Sequence, residues 1–215
     1  MNFDLFANTQ PQGCEKICTG AFVLRGFALP FAADVVREVA HVTALAPLRN
    51  MHTPSGLPMS VTTTSCGNAG WVSDANGYRY AKRDAHSQQE WPKIPECFLL
   101  LAHQAATAAG YENFTPDSCL INCYKIGAKM SLHQDKNEKD ISQPIVSVSL
   151  GLPATFLFGE LTREAKAIRV PLVHGDVVVW GGTARLCFHG VLPIKAGNHS
   201  LLGERRINLT FRKAL

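Results

Sequence analysis

The chain has no run of about 18 apolar residues, so no helix crossing a bilayer is expected. Its first stretch, Met1 to Phe6, has no basic segment leading into an apolar one. A secretory signal of the usual form is therefore not expected, and the protein is read as cytoplasmic. Among 7 cysteines there is no C-x-x-C pair. Cys14 and Cys18 have no second pair to complete a zinc site, and all seven read as reduced thiols, with Cys119, Cys123 and Cys187 in apolar, packing contexts. No Pro/Gly/Ser-rich linker divides the 215 residues, which points to one domain over 1–215 with a sizeable core. Strong charge is missing as well. A net +4 is compatible with a polyanionic partner but does not demand one.

What the chain does contain is concentrated near His133 and Asp135. Side chains alternate faces along a strand, so residues two apart project together and Gln134 points away. Together they make half of a chelate, and His189, in another apolar run, offers a third ligand. Two imidazoles and a carboxylate with open positions suit ferrous iron in an oxygenase. Alone, an H-x-D arises often by chance, and a His beside an Asp is usually a structural hydrogen bond.

A second, independent signal lies near the C-terminus. Ile207, Leu209 and Phe211 alternate with Arg206, Asn208, Thr210 and Arg212, the pattern of a strand with one polar face. A half-buried edge strand would look the same. The arginines argue for more, because a guanidinium presents a fixed fork of donors that fits a carboxylate at two points. Six strand residues span about 20 Å, so two long side chains bending inward leave room for a short molecule with a carboxylate at each end. Buried arginines need anions, and an anion in the cavity would supply them.

The ordered set Asn122-Cys123-Tyr124, His133-Gln134-Asp135, His189 and Arg206-x-Asn208-x-Thr210-x-Arg212 strongly resembles the AlkB family of iron(II)- and 2-oxoglutarate-dependent dioxygenases, above all its bacterial DNA-repair members. The likeness extends to Ala105–Gly110, Pro144–Pro153 and His174–Gly182, fading in the first 20 residues and around 84–90. It implies Fe(II) on His133, Asp135 and His189, with 2-oxoglutarate as cosubstrate and O2 as oxidant. Arg206 is then expected on the remote carboxylate of the cosubstrate and Arg212 near the chelating one, with Asn122, Tyr124 and Asn208 adding hydrogen bonds. It further implies oxidative demethylation of 1-methyladenine and 3-methylcytosine type lesions in alkylated DNA, single-stranded DNA being preferred and RNA a further substrate, by a monomer. The same chemistry on tRNA, protein or a small metabolite is the alternative. A jelly-roll binding module with structural His and Asp is a third reading.

Placed on that background, the chain divides into scaffold, lid and core. A strand at 20–26 and helices at 32–46 and 95–109 form the scaffold of 20–47 and 94–110, with Pro47 stopping the first helix and Gly110 capping the second. Residues 48–93 are rich in Gly and Ser without sustained periodicity and read as a nucleotide-recognition lid of hairpin and loop. Trp71, Tyr78 and Tyr80 there are placed to stack on a base, whereas Trp91 before Pro92 reads as an anchor. Strands at 119–125, 130–134, 144–150, 154–158, 168–173, 175–180, 184–189 and 206–212 make 117–215 a jelly-roll catalytic core. The class is mainly β with flanking helices (α+β), a double-stranded β-helix. Asn137 and Arg163 are expected at the substrate mouth. Asn137 stands where the bacterial pattern has an acid, and Thr63 where it has a larger apolar residue; both changes bear on lesion preference.

Overall fold

Seven consecutive residues with both faces buried cannot lie at a sheet edge, and Arg205–Arg212, apart from its first residue, is such a run. In the computed structural model, which describes residues 13–215, the strands in chain order are β1 (Gly13–Cys18), β2 (Ala21–Arg25), β3 (Arg49–His52), β4 (Pro58–Gly67), β5 (Gly70–Asp74), β6 (Gly77–Ala81), β7 (Ser118–Lys125), β8 (Met130–His133), β9 (Ile145–Gly151), β10 (Ala154–Phe158), β11 (Ile168–Leu172), β12 (Val177–Trp180), β13 (His189–Val191) and β14 (Arg205–Arg212). Two helices, α1 (Ala32–Leu45) and α2 (Glu96–Ala108), interrupt them. Neither is long and apolar enough to cross a membrane.

The strands form three sheets. The large one runs β1-β2-β12-β9-β14-β7-β4-β3, the small one β11-β10-β13-β8, and β5-β6 is a separate hairpin. All pairings are antiparallel. This is the jelly roll expected from the sequence, with flanking helices. Strand alternation gives the large sheet two cores. Ile207, Leu209 and Phe211 of β14 pack with Val146 and Val148 of β9 and Ile121 of β7 against Val35 and Val39 of α1 and Phe98 and Leu101 of α2. On the opposite face, Val178 and Trp180 of β12 meet Phe156 and Phe158 of β10, closing one end of the space between the sheets. Arg206, Asn208, Thr210 and Arg212 face that same space, so their strand's polar side is interior.

Three expectations change. Gly13–Cys18, where no element was expected, is an edge strand paired with β2; residues 1–12 lie outside the described residues. Residues 58–67, read as lid, form β4 and pair with β7 inside the large sheet. Its Thr62, Thr63, Thr64 and Ser65 hide the usual alternation because polar side chains occupy both faces, while β-branching favours the extended backbone. The strand expected at 184–189 is instead a 3-10 turn at Gly182–Ala184, and strand pairing begins only at His189. Leu186, Cys187 and Phe188 are apolar enough to read as a strand, but outside any ladder they bond singly: Phe188 N–H to Glu160 O and Gly159 N–H to Phe188 O.

Candidate active site

His133 ends β8 and His189 begins β13, and the two are directly opposite in the ladder. Gly190 makes this approach possible, since a Cβ there would lie 2.7 Å from Met130 O. The imidazole centroids are 4.4 Å apart. Each ring's Nδ1 is tied to the carbonyl two residues back, His133 to Ser131 O at 2.9 Å and His189 to Cys187 O at 3.0 Å. With Nδ1–H donating, each Nε2 keeps a free lone pair. Asp135, just beyond the end of β8, presents Oδ1 3.7 Å from His133 Nε2 and Oδ2 3.7 Å from His189 Nε2. The ligand atoms of all three lie within 4.8 Å of one another, a group able to hold a metal ion.

The electrostatics favour the ligating protonation states. Burial, then the neighbouring His189, lowers His133 from 6.5 to about 4, so its ring is neutral at neutral pH. Burial pushes the Asp135 carboxyl up, but the Arg212 guanidinium, with His189 and His133 beside it, overrides that and holds it well below the usual carboxylate range. Arg212 Nε donates to Asp135 Oδ2 at 2.9 Å and lies 3.4 Å from Glu138 Oε1. Burial works against the charge on Arg212, yet Asp135, Tyr80 and Glu138 together raise its pKa above the usual arginine value.

Arg206 is different. It is 1% exposed, donates to Ser149 Oγ at 2.9 Å, and sits over the Tyr124 ring at 4.9 Å. Its Nε and Nη1 have no hydrogen-bond partner, and burial lowers its pKa. No carboxylate is paired with it among the described residues. A buried guanidinium with two unmet donors calls for an anion. The expectation of two arginines awaiting an anion is thus corrected to one, because Arg212 already has protein carboxylates. Asn208 donates to Ser147 Oγ at 2.8 Å and Val148 O at 2.9 Å, and Asn122 reaches Asn208 Oδ1 at 3.4 Å; Asn122 Oδ1 is unmet.

These groups line a cavity of about 800 Å³ between the sheets, with Asn122, Tyr124, Asn208 and Arg206 along its floor. Trp71, Tyr78, Asn137 and Arg163 line the opening. Trp71 and Tyr78 stack on each other, centroids 5.6 Å apart and planes 15° from parallel. Arg163 lies over Phe188 at 5.1 Å. Thr63 borders the same space with its hydroxyl unpaired. Tyr80 does not line it: its hydroxyl donates to Glu138 Oε1 at 2.6 Å. Glu138 and Arg185 escaped the sequence reading. Glu138, in a charged loop, carries no pattern that marks it. Arg185, a lone charge between Ala184 and Leu186, does carry one: it donates to Asp135 O at 2.7 Å and Gln143 O at 3.0 Å and meets Glu138 at 3.1 Å.

The 2OG-Fe(II) oxygenase superfamily model matches residues 20–212. The chain is similar to the alpha-ketoglutarate-dependent dioxygenase AlkB of Salmonella typhimurium, 52% identical over 98% of this chain and 97% of that protein. Similarity to the Escherichia coli AlkB is 51% over the same shares. The solved structure of OsALKBH1 superposes with a TM-score of 0.83 at 30% identity, covering 94% of this chain and 100% of that one.

The chain belongs to the AlkB family of 2OG-Fe(II) oxygenases.

AlkB-family chemistry uses Fe(II), 2-oxoglutarate and O2, and the residues present fit that set. Two imidazoles and one carboxylate leave coordination positions open for cosubstrate and O2. A diacid that reaches Arg206 would meet the unmatched donors in the site.

Proposed function

We infer that this AlkB-family dioxygenase removes methyl groups from N-alkylated bases, 1-methyladenine and 3-methylcytosine among them, in DNA, with RNA as a further substrate. The observation that carries this reading is the Trp71–Tyr78 stack at the mouth of a cavity whose inner wall holds the His-Asp-His group. Flat, partly exposed aromatics are what an enzyme uses to hold a base taken out of the helix, and Tyr78 is 44% exposed. Extrusion costs least from single strands, which favours them as substrate. A monomer acting in the cytoplasm completes the reading.

Bound Fe(II), with 2-oxoglutarate and O2, supplies oxidative hydroxylation of an N-methyl carbon, yielding succinate, CO2 and formaldehyde. This chain's residues bind and orient. His133, Asp135 and His189 would hold the iron, the tautomers of the two imidazoles fixed by Ser131 O and Cys187 O. Arg206 would grip the remote carboxylate of 2-oxoglutarate, supported by Ser149 and Tyr124. The free carbonyl oxygen of Asn122 and the hydroxyl of Thr63 border the substrate space. Asn137 brings an amide rather than a carboxylate to the mouth, so a cationic base meets no added negative charge there.

Formaldehyde release from methylated oligonucleotides is the test. Release requires both iron and 2-oxoglutarate. Trp71→Ala lowers it by about tenfold, the worth of one base stack, while uncoupled 2-oxoglutarate oxidation stays near the native rate. An equal fall in both would remove the base-stacking role and favour the same chemistry on a protein or small metabolite.

A further inference from the structure

Four consecutive residues, Asp135 to Glu138, join the metal group to the β5–β6 hairpin. Asn137 Nδ2 donates to Tyr78 O at 3.3 Å, and Glu138 Oε1 accepts from the Tyr80 hydroxyl at 2.6 Å. Trp71 is paired with Tyr80 across the hairpin, and Ser73 with Tyr78. Both anchors therefore act on the strand that carries Tyr78 and backs Trp71.

Glu138 is 8% exposed, with an arginine on each side: Arg212 at 3.4 Å and Arg185 at 3.1 Å. Arg212 in turn holds Asp135 Oδ2, and Arg185 holds the Asp135 carbonyl. The path from hairpin to metal carboxylate is thus Tyr80 hydroxyl, Glu138, the two guanidiniums, Asp135. Each link is a hydrogen bond or an ion pair between largely buried groups, where such contacts polarise and order one another. A carboxylate at position 138 has a purpose beyond neutralising two arginines, because the Tyr80 phenol would be left with a buried, unmatched proton without it.

We propose that Glu138 is a positioning residue that couples the β5–β6 hairpin to the metal site, so that loading Asp135 with metal orders the aromatic platform and ordering the platform tightens metal binding. The coupling works because both events draw on the freedom of the same side chains: once a cation fixes Asp135, Arg212 and Glu138 have less left to lose when Tyr80 docks. Coupling of this kind is reciprocal. The inference rests on the reading above that the hairpin carries the base platform, but its test uses no substrate.

The experiment follows backbone amide exchange at 70–81 in the protein without metal and with Mn(II) plus 2-oxoglutarate, in the native chain and in Tyr80→Phe, which removes one oxygen and no packing. In the native protein, loading slows exchange there by about fivefold or more. In Tyr80→Phe the slowing is lost, Mn(II) affinity read by electron paramagnetic resonance falls by a similar factor, and the melting temperature of the metal-free protein hardly changes. Glu138→Gln, where it folds, behaves like Tyr80→Phe. Equal protection in Tyr80→Phe and the native protein, or no protection in the native protein on loading, overturns the proposal. A native protein that fails to bind Mn(II) and 2-oxoglutarate at all would instead overturn the metal assignment on which the proposed function stands, so the two failures are distinguishable.

Discussion

At the scale of single residues, the unpaired guanidinium of Arg206 makes the sharpest prediction. A buried charge without a partner is destabilising, and replacing it with an apolar side chain of similar volume is often neutral or stabilising. Arg206→Met therefore melts no lower than the native protein when both are free of metal. Mn(II) with 2-oxoglutarate raises the native melting temperature with the logarithm of ligand concentration, as linkage requires, and raises that of Arg206→Met far less. Thermal scans with and without ligand check both halves. His133 and Asp135 were visible in the sequence because a two-residue spacing is a local fact. The facing of His133 and His189 was not, since a register between distant strands depends on Gly190 and on where β13 begins. Nor could the sequence assign the partners of Arg212. Two arginines at equivalent positions of one strand look alike until the neighbouring loop brings Asp135 and Glu138 to one of them.

At the scale of elements, β14 was legible as a strand and illegible as a centre. Its alternating pattern suits an edge with a wet face equally well. What makes it central is pairing with β9 on one side and β7 on the other, between which its polar face meets Ser147, Ser149 and Asn122 rather than water. Its apolar face should then behave as core. Leu209 is fully buried against both helices, so Leu209→Ala costs about 3 kcal/mol of unfolding free energy, a value within reach of urea titration. An edge strand would lose far less. The reverse error befell β4, whose run of threonines carries no apolar period yet lies between β7 and β3.

At the scale of the whole molecule, acid sensitivity follows from rings buried neutral. His174, with the His199 ring tilted beside it, centroids 4.4 Å apart, accepts the Gly151 N–H on Nδ1 at 3.0 Å. Burial, then His199, lowers it from 6.5 to about 4. Between those values the unfolded chain takes up a proton that the fold refuses, so stability is full above pH 6.5 and declines as pH falls toward 4. His133 acts in the same window in the metal-free protein. His174→Asn keeps an acceptor for Gly151 and removes one of the two rings, so the decline of the urea midpoint between pH 6.5 and 4 becomes shallower without vanishing. The central place of β14 has a further meaning for biosynthesis. Until the ribosome releases Arg205 to Arg212, β7 and β9 have no bridge between them, and the large sheet exists as two halves with raw inner margins. The strand that joins the two halves is thus made after both of the strands it joins.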